Sequence, residues 1–556
     1  MLWSRKSRLL AAVALGATCA SGGASFAAAP QRHTGTGTVT GTVALSPHAP
    51  ALRASQLHDR AAVLAHLEPG LAASGRLVVR GDVAAQGSLS KSTPKAGAGT
   101  MPDVTGDGLE DALQINFVQR RFTARDGHTG RVLWTLPEPN AYLAQYARLG
   151  SPARPALVVQ TFTVDATGLD HAGVAALDAR TGKTLWAYDQ RALGGDAVVA
   201  YADAAEVFTA GVLERSTGAD DVLVGVASDV GSLVAGASSL APQVVAGATG
   251  TAGTLGQPIV SDGYPLLYPL PDLDGDRVPD YVLTSVGSLD QVSVRNGATG
   301  RELWQVTAPD TGAFWSYAVA LPNAVAPGKP GLLVIDSGFD GGGVTAYDGA
   351  KGTALWTVAA SDALLLGDVD RDGVSEVALV EFGGSGFTFR AVSGRTAKPR
   401  WSATVSGPAQ GSASIGGGPA GDLDGDHVQD LLFGINVYGR HPLEQQVVVS
   451  GSTGRQQVRT GLFGDPLYAP LSSRGDALVD LDPTASGVTV SARDLRRRLW
   501  AVRLPLHGIE AVSFLDHGRM SRGGQDVLLS AYGSGGSDIV ALDGRTGALM
   551  WRTHVS

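Results

Sequence analysis

From about residue 100 onwards, short runs of alternating apolar and polar residues are separated by small clusters of Gly, Asp, Asn and Thr. One such unit reads FTARDGHTGRVLW at 122–134, and another reads IVALDGRTGALMW at 539–551. A period of two residues is typical of a half-buried β-strand. Asp-Gly-x-Thr-Gly supplies the left-handed positions and the side-chain caps of a tight turn. Each unit therefore predicts a β-hairpin.

The hairpin is repeated along the chain, and a Trp ends most of its copies. Seven of the eight Trp residues beyond residue 29 stand at this place, Trp315 being the exception, and the copies at 244–255 and 447–458 have none. The nine turns are anchored at 126, 178, 247, 296, 348, 393, 450, 491 and 543, an average spacing of about 52 residues. That spacing fits four strands with their turns. We predict an all-β fold built from repeated four-stranded units, each the size of one propeller blade.

A second, acidic motif alternates with the hairpin. Its four copies read DVTGDGLED at 103–111, DLDGDRVPD at 272–280, DVDRDGVSE at 368–376 and DLDGDHVQD at 422–430. Carboxylates recur at positions 1, 3, 5 and 9, except that Thr105 occupies position 3 of the first copy. Three or four oxygens at this spacing can surround one hard cation, with a backbone carbonyl at position 7 as a further ligand. Calcium fits best because it accepts six to eight oxygen ligands in a flexible shell.

These loops are not EF-hands, because position 12 holds Gln114, Leu283, Leu379 and Phe433 where a bidentate Glu would be needed. Each acidic loop is also followed by an apolar run typical of a strand rather than a helix. The alternative interpretation is a set of solvated acidic turns without metal. Four copies in phase with the hairpin repeat favour three or four calcium sites.

Composition and the N-terminal residues indicate an exported protein. Arg5, Lys6 and Arg8 precede a short apolar run and small residues, so residues 1–29 are typical of a signal peptide. Cys19, the only cysteine, lies within this segment in a poor context for lipid attachment, which leaves no disulfide, cysteine–zinc or iron–sulfur site in the mature chain. The formal net charge of −9 disfavours nucleic acid as a partner. The apolar run is too short for a stable membrane span.

Residues 30–98 form an N-terminal extension and linker that we expect to be poorly ordered, and residues 99–556 form the propeller. A Thr/Gly-rich stretch and a Ser/Lys/Pro/Gly stretch give the extension few order signals, and 75 of the 556 residues in the whole chain are Gly. Gly usage of roughly twice the average, without a collagen-like period, indicates many tight turns.

The acidic loops resemble the FG-GAP/VCBS repeats of integrin alpha-subunit propellers and of many bacterial exported proteins. The Asp-x-x-Thr-Gly-x-x-x-Trp hairpins resemble the repeats of pyrroloquinoline-quinone-type propellers. These resemblances imply a β-propeller of seven or eight four-stranded blades, in which one of the nine hairpin copies is degenerate or completes the first blade. They also imply calcium loops between the first two strands of a blade. Arg277 and His427 stand where the FG-GAP family usually has Gly, which predicts distorted turns there. The implied metal ligands are Asp103, Asp107, Asp111, Asp272, Asp274, Asp276, Asp280, Asp368, Asp370, Asp372, Glu376, Asp422, Asp424, Asp426 and Asp430.

The function favoured by this pattern is that of a secreted, monomeric binding module for an extracellular protein or glycan. Tyr201, Phe314, Trp315 and Tyr317 are candidates for glycan stacking, although core packing is the alternative for each of them. A polysaccharide lyase resembling rhamnogalacturonan lyases is a second hypothesis, with Arg301, Tyr347 or His427 as its candidate base. A quinone-dependent dehydrogenase is disfavoured, because that family typically places a pair of adjacent cysteines against the quinone.

Overall fold

Turns of the repeated hairpin connect antiparallel strands in the computed structural model. It describes residues 96–116, 121–137, 141–164, 170–189, 205–213, 219–229, 238–261, 266–284, 291–307, 315–337, 342–383, 386–406, 412–438, 443–460, 467–472, 475–484, 487–506, 509–533 and 536–555. These ranges contain strands and turns and no helix, so none of their segments could cross a membrane as a helix. The predicted signal peptide lies outside the described residues, as does the extension up to residue 95.

The first three sheets come from the N-terminal third of the described chain. Sheet 1 contains β1 (Ala96–Met101), β2 (Asp111–Asn116), β3 (Arg121–Arg125) and β4 (Val132–Pro137). Sheet 2 contains β5 (Ala141–Leu149), β6 (Arg154–Val164), β7 (Asp170–Asp178) and β8 (Thr184–Asp189). Sheet 3 contains β9 (Ala205–Leu213), β10 (Asp221–Asp229), β11 (Ser238–Val245) and β12 (Ala252–Thr254), and β13 (Ile259–Ser261) also pairs with β11.

The next three sheets have four strands each. Sheet 4 contains β14 (Leu266–Pro269), β15 (Tyr281–Thr284), β16 (Gln291–Arg295) and β17 (Glu302–Thr307). Sheet 5 contains β18 (Trp315–Ala326), β19 (Lys329–Ser337), β20 (Gly343–Asp348) and β21 (Ala354–Ala359). Sheet 6 contains β22 (Asp362–Gly367), β23 (Glu376–Gly383), β24 (Gly386–Ser393) and β25 (Pro399–Ser406).

The last three sheets follow the same order. Sheet 7 contains β26 (Ser412–Pro419), β27 (Leu431–Tyr438), β28 (Leu443–Val449) and β29 (Gln456–Thr460). Sheet 8 contains β30 (Leu467–Ser472), β31 (Gly475–Thr484), β32 (Gly487–Arg493) and β33 (Arg498–Leu504). Sheet 9 contains β34 (Ile509–Ser521), β35 (Gly524–Gly533), β36 (Gly536–Leu542) and β37 (Leu549–Val555).

The all-β propeller class is confirmed, and the described residues form nine sheets where we expected seven or eight blades. All nine predicted hairpins, including the two without Trp, form between the third and fourth strands of their own sheets, so no copy is degenerate. One predicted anchor was misplaced. Position 491 lies inside β32, and the eighth turn begins at Asp494, whose N–H bonds to Arg497 O.

Trp side chains join neighbouring sheets. Each of the seven repeat Trp residues donates a hydrogen bond from Nε1 to a turn carbonyl of the next sheet, over 2.6–2.9 Å. The last of them joins sheet 9 to sheet 1, so the ring closes by contact between complete sheets. The donor and acceptor pairs are Trp134 with Ala179, Trp186 with Gly247, Trp304 with Gly349, Trp356 with Gly394, Trp401 with Gly451, Trp500 with Gly544 and Trp551 with Gly127.

A β-bulge accompanies every one of these Trp residues. In sheet 4, for example, Val294 pairs with Trp304 and Arg295 pairs with Glu302, so Leu303 is the extra residue. The same shift occurs in the six other Trp-containing sheets, and the pairings β11–β12 and β28–β29, which lack Trp, show none. A bulge bends its strand and re-aims the side chains beside it. We attribute the sideways direction of the Trp residues to this bulge.

The core lies between sheets rather than along a single axis. Each of the nine buried apolar clusters draws its residues from two adjacent sheets, and sheets 9 and 1 share one of them. The two smallest, with five and six buried residues, lie at the junctions without Trp, between sheets 7 and 8 and between sheets 3 and 4. Polar contacts support these two junctions. Tyr281 Oη donates to Leu255 O over 2.5 Å, and Asp476 Oδ2 accepts from Asp422 N over 2.7 Å.

The Gly of Thr-Gly in the turn is favoured both by its left-handed backbone and by the close approach of the neighbouring Trp. Gly352 has a φ of 66°, and a Cβ built there would lie 2.6 Å from Cγ of Trp304. Gly182 has the same relation to Trp134, with 2.8 Å to Cε3. The ring of one sheet therefore covers the left-handed turn of the next. In sheet 6 this position is Ala397, which adopts a φ of 54°.

We predict that Gly352→Ala destabilises the protein by about 1–3 kcal/mol more than Gly328→Ala, because overpacking adds to left-handed strain. Gly328 is a matched control, since its φ is 71° and nothing lies within 4 Å of a Cβ at that position. Urea unfolding of the two variants measures the difference. Equal losses would contradict the proposed role of the Trp304 ring.

Candidate metal-binding loops

The four acidic loops connect the first and second strands of sheets 1, 4, 6 and 7, as the FG-GAP resemblance implied. Connections between strands 1 and 2 and between strands 3 and 4 of an antiparallel sheet leave from the same end. The acidic loops and the Thr-Gly turns therefore share one face of the ring. Hydrogen bonds between these two sets of loops, described below, confirm this arrangement.

The backbone of each loop folds around its first carboxylate. Asp272 accepts from Gly275 N over 2.6 Å and from Arg277 N over 2.8 Å, and Asp422 accepts from Gly425 N and His427 N over 2.7 and 2.8 Å. Equivalent bonds reach Asp103 and Asp368. These bonds wrap the peptide N–H groups inward and leave the remaining carboxylates to face one another.

The predicted distortion at Arg277 and His427 does not occur. Their φ angles are 71° and 70°, in the same left-handed region as 84° at Gly108 and Gly373 in the other two loops. The hydrogen bonds to the first carboxylate stabilise the turn. They offset the steric cost that a residue other than Gly has in the left-handed conformation. Arg371, at position 4 of the third loop, is left-handed as well, with a φ of 62°.

The ninth-position carboxylate links each loop to its sheet. Asp111, Asp280, Glu376 and Asp430 are at most 1% exposed, and each accepts the N–H of loop position 2 over 2.7–2.8 Å. In three of the loops the second carboxylate oxygen accepts a Gly N–H of the Thr-Gly turn, over 3.0–3.1 Å. Asp526 makes the same bond to Gly544 N in sheet 9, which has no acidic loop. This position is therefore a structural link whether or not a metal is present.

Three of the four loops bring together carboxylates that could hold a cation. The groups are Asp272, Asp274 and Asp276; Asp368, Asp370 and Glu376; and Asp422, Asp424 and Asp430, with one oxygen from each residue within 4.8 Å of the others. Among the described residues, Asp103, Asp107 and Asp111 do not form such a group. Thr105 holds the third position of that loop, and its hydroxyl donates to Asp103 over 3.2 Å.

Burial and mutual repulsion affect the protonation of these carboxylates. Burial raises the pKa of Asp280 to about 7, and the charges of Asp274 and Asp272 raise it further, although hydrogen bonds from Leu273 N and Gly297 N oppose the shift. Burial likewise raises the pKa of Asp430 to about 7, with Asp424 and Asp426 adding repulsion against the bonds from Gly451 N and Leu423 N. A divalent cation would offset this repulsion and displace the proton.

Several contacts of the loops lie beyond the sequence motif. Asn296 in the sheet 4 turn donates from Nδ2 to Asp274 over 3.0 Å and to Asp276 over 2.6 Å. Ser452 donates to Asp426 in sheet 7. In sheet 6 a cation takes part, because Nη2 of Arg400 approaches Asp370, Asp372 and Glu376. The residue before each Trp was the available signal, since Arg400 is charged where the other copies have Leu or Met.

The other candidate residues do not form a second site in the described structure. Arg301 is exposed in a turn, and Tyr347 stacks on Trp304 with ring centroids 5.6 Å apart, while His427 belongs to the acidic loop of sheet 7. Among the aromatic candidates, Tyr201 and Phe314 lie outside the described residues. Trp315 and Tyr317 lie in β18, but their side chains also fall outside the described set.

Several solved structures are similar to this chain at low sequence identity. Rhamnogalacturonan lyase YesW is 15% identical, with 75% of each chain covered and a TM-score of 0.38. Exotype rhamnogalacturonan lyase YesX is 12% identical, with 69% of this chain and 70% of that chain covered and a TM-score of 0.40. Quinohemoprotein alcohol dehydrogenase from Comamonas testosteroni is 12% identical, with 76% and 69% covered and a TM-score of 0.34. None of these similarities assigns an activity to this chain.

A family relationship rests on the sequence itself. No curated protein matches the chain. The sequence model of the family described as outer membrane protein assembly factor BamB matches residues 36–205 and 278–465, which together make up more than half of the chain. Both segments contain the Trp hairpins that join adjacent sheets. The chain belongs to this BamB family of β-propeller proteins.

Proposed function

We propose that this protein is an exported, calcium-stabilised β-propeller that acts as a binding module for an extracellular protein or glycan. The observation that carries the proposal is the clustering of carboxylate oxygens in the loops between the first and second strands of sheets 4 and 7. Among the described residues, these clusters have no catalytic side chain beside them that we identify. The family's description as an assembly factor agrees with a binding role. No described side-chain arrangement favours the polysaccharide lyase or the quinone-dependent dehydrogenase.

Calcium is the ion that suits these loops. All the candidate ligands are oxygens, and they lie on loops that can adjust, which matches the variable coordination of calcium better than the strict octahedron of magnesium. Three assembled groups agree with the lower end of the three or four sites expected from the sequence. The resemblance to FG-GAP/VCBS loops supports the same ion, and it rests on the acidic motifs alone.

The bound ion would serve stability rather than chemistry. Its ligands are hydrogen-bonded to the Thr-Gly turn of the same sheet, as between Asn296 and Asp274, so an ion would hold two loops of one blade together. For a site occupied at tenfold its dissociation constant, mass action adds about 1.4 kcal/mol. A few such sites contribute an amount comparable with a large part of a domain's stability.

Export and chain organisation complete the proposal. We propose a signal peptide at 1–29, an extension at 30–98 and the propeller at 99–556, with β1 beginning at Ala96, just before that boundary. Removal of the signal peptide takes away three positive charges and the only cysteine. The product is acidic, cysteine-free and monomeric, which suits an extracellular setting with millimolar calcium.

We predict that removing calcium from the mature protein with a chelator lowers its melting temperature by several degrees, because carboxylate repulsion is then uncompensated. Adding calcium back should restore the melting temperature, and magnesium at the same concentration should not. Differential scanning calorimetry measures both. A melting temperature that is insensitive to the chelator would overturn the metal assignment.

Asp424→Asn should reduce the number of bound calcium ions by one and leave the rest of the fold intact, because it removes one ligand of the sheet 7 group. Equilibrium dialysis with calcium gives the number of ions bound. Asp482→Asn, an exposed carboxylate on β31 of sheet 8, is the matched control and should bind as many ions as the unaltered protein. Equal losses in the two variants would contradict a localised site.

The binding role is tested by a glycan array probed with the mature protein in calcium and again in chelator. We expect calcium-dependent binding to one glycan class, or, if the array is blank, recovery of a specific envelope protein in a calcium-dependent pull-down. Release of unsaturated sugar products from an acidic pectic glycan would contradict the non-enzymatic role and favour a lyase.

A further inference from the structure

The third acidic loop differs from the other two assembled groups in having a protein cation at its centre. Nη2 of Arg400 lies 3.2 Å from Glu376 Oε1 and 3.6 Å from Asp372 Oδ2, and it forms a closer ion pair with Asp370. Glu376 is completely buried and Arg400 is about one quarter exposed. The pair with Glu376 is therefore shielded from water more than an ordinary surface pair is, whereas the side chains of Asp370 and Asp372 are 32% and 39% exposed.

The bulge beside the Trp residue explains how Arg400 reaches this loop. In sheet 6, Ala391 pairs with Trp401 and Val392 pairs with Pro399, so Arg400 is the extra residue of the bulge. The bulged residue in the six other Trp-containing sheets is uncharged: Leu133, Leu185, Leu303, Leu355, Leu499 or Met550. Sheets 3 and 7 have no bulge at this place. A guanidinium at this position is therefore particular to sheet 6.

Other residues of sheet 6 also depart from the motif, and these departures make room for the Arg400 guanidinium. Its ninth position is Glu376, where the other three loops have Asp. In those loops the ninth carboxylate accepts a turn Gly N–H, but Gly394 N bonds instead to Ser375 O over 3.2 Å. The carboxylate oxygen that would accept this bond is turned to Arg400. The longer side chain and the altered turn contact both accommodate the guanidinium.

We propose that Arg400 occupies the cation position of the 368–376 loop, so that this loop is closed by an internal ion pair and binds no calcium, whereas the loops of sheets 4 and 7 do. The proposal rests on the calcium-binding function proposed above and narrows it to two sites. Arg400 carries a fixed positive charge, and its Nη2 lies within ion-pair distance of a carboxylate oxygen of each of the three acidic residues. A metal ion entering the group would have to displace it.

The test is the calcium stoichiometry of the mature protein, of Arg400→Gln and of Arg498→Gln, measured by equilibrium dialysis. Arg498 is exposed on the fourth strand of sheet 8, which has no acidic loop, and is the matched control. We expect two ions in the unaltered protein and in the control, and three in Arg400→Gln. The proposal would be overturned if the unaltered protein and the Arg400→Gln variant both bound two ions.

A second measurement applies even if Arg400→Gln folds poorly. Asp370→Asn should lower the melting temperature equally in calcium and in chelator, because it breaks an ion pair with Arg400. Asp274→Asn in sheet 4 should lower it only in calcium. A loss for Asp370→Asn that appears only in calcium would overturn the proposal. If instead the unaltered protein binds no calcium at all, the proposed function fails, while the equal loss for Asp370→Asn still supports the role of Arg400.

Discussion

The hydrogen bond from a Trp indole to the turn carbonyl of the next sheet is the contact on which the ring depends. It combines three local features: a bulge before the Trp, a small left-handed residue beneath the ring in the neighbouring turn (Gly in six cases and Ala397 in sheet 6), and a carbonyl directed at Nε1. Each feature is destabilising or neutral on its own, since a bulge breaks the ladder and a left-handed turn costs backbone freedom. Together they explain why Thr-Gly and Trp are repeated as a unit. The Thr-Gly turn of one hairpin packs against the Trp of the hairpin before it.

The acidic loops are an addition to this framework rather than part of it. A buried Asp at the start of the second strand links loop and turn in sheet 9 as well as in sheets 1, 4 and 7, so the carboxylate has a structural role that needs no ion. The carboxylate clusters that could hold a cation occur only where further carboxylates lie beside the ninth-position residue or beside the first residue of the loop. The buried carboxylate therefore supports the blade in general, whereas the carboxylate clusters are a feature of only a few blades.

The positions of the two acidic groups without a guanidinium follow the weak points of the ring. They belong to sheets 4 and 7, and each of these sheets borders a junction that lacks Trp and has a small buried cluster. At the junction of sheets 7 and 8, Asp422 N donates to Asp476 and Arg496 approaches Asp424 O over 3.4 Å, so the loop itself contacts the neighbouring sheet. The sheet 4 loop instead contributes Leu273 to the cluster that sheets 4 and 5 share. Ordering of the sheet 7 loop by an ion would strengthen the junction of sheets 7 and 8, which has the smallest buried cluster. Sheet 6, with Trp-mediated bonds on both sides and Arg400 in its acidic loop, has less need of one.

The sequence by itself determined the hairpins, their repeat length and the four acidic loops, because turn chemistry and period-two patterning act over a few neighbouring residues. The place of these loops between the first two strands came from their resemblance to FG-GAP/VCBS repeats, and the strand order agrees with it. The sequence did not determine the number of sheets, since a turn without Trp looks degenerate until its strands are seen to pair. Nor did it distinguish the acidic loops from one another. Arg400 lies 24 residues beyond Glu376 in the sequence, and Asn296 lies 20 beyond Asp276; only strand register and the bulge bring such residues together. The charge balance of each loop is therefore a property of the folded sheet, because it depends on side chains that the chain supplies from a different hairpin.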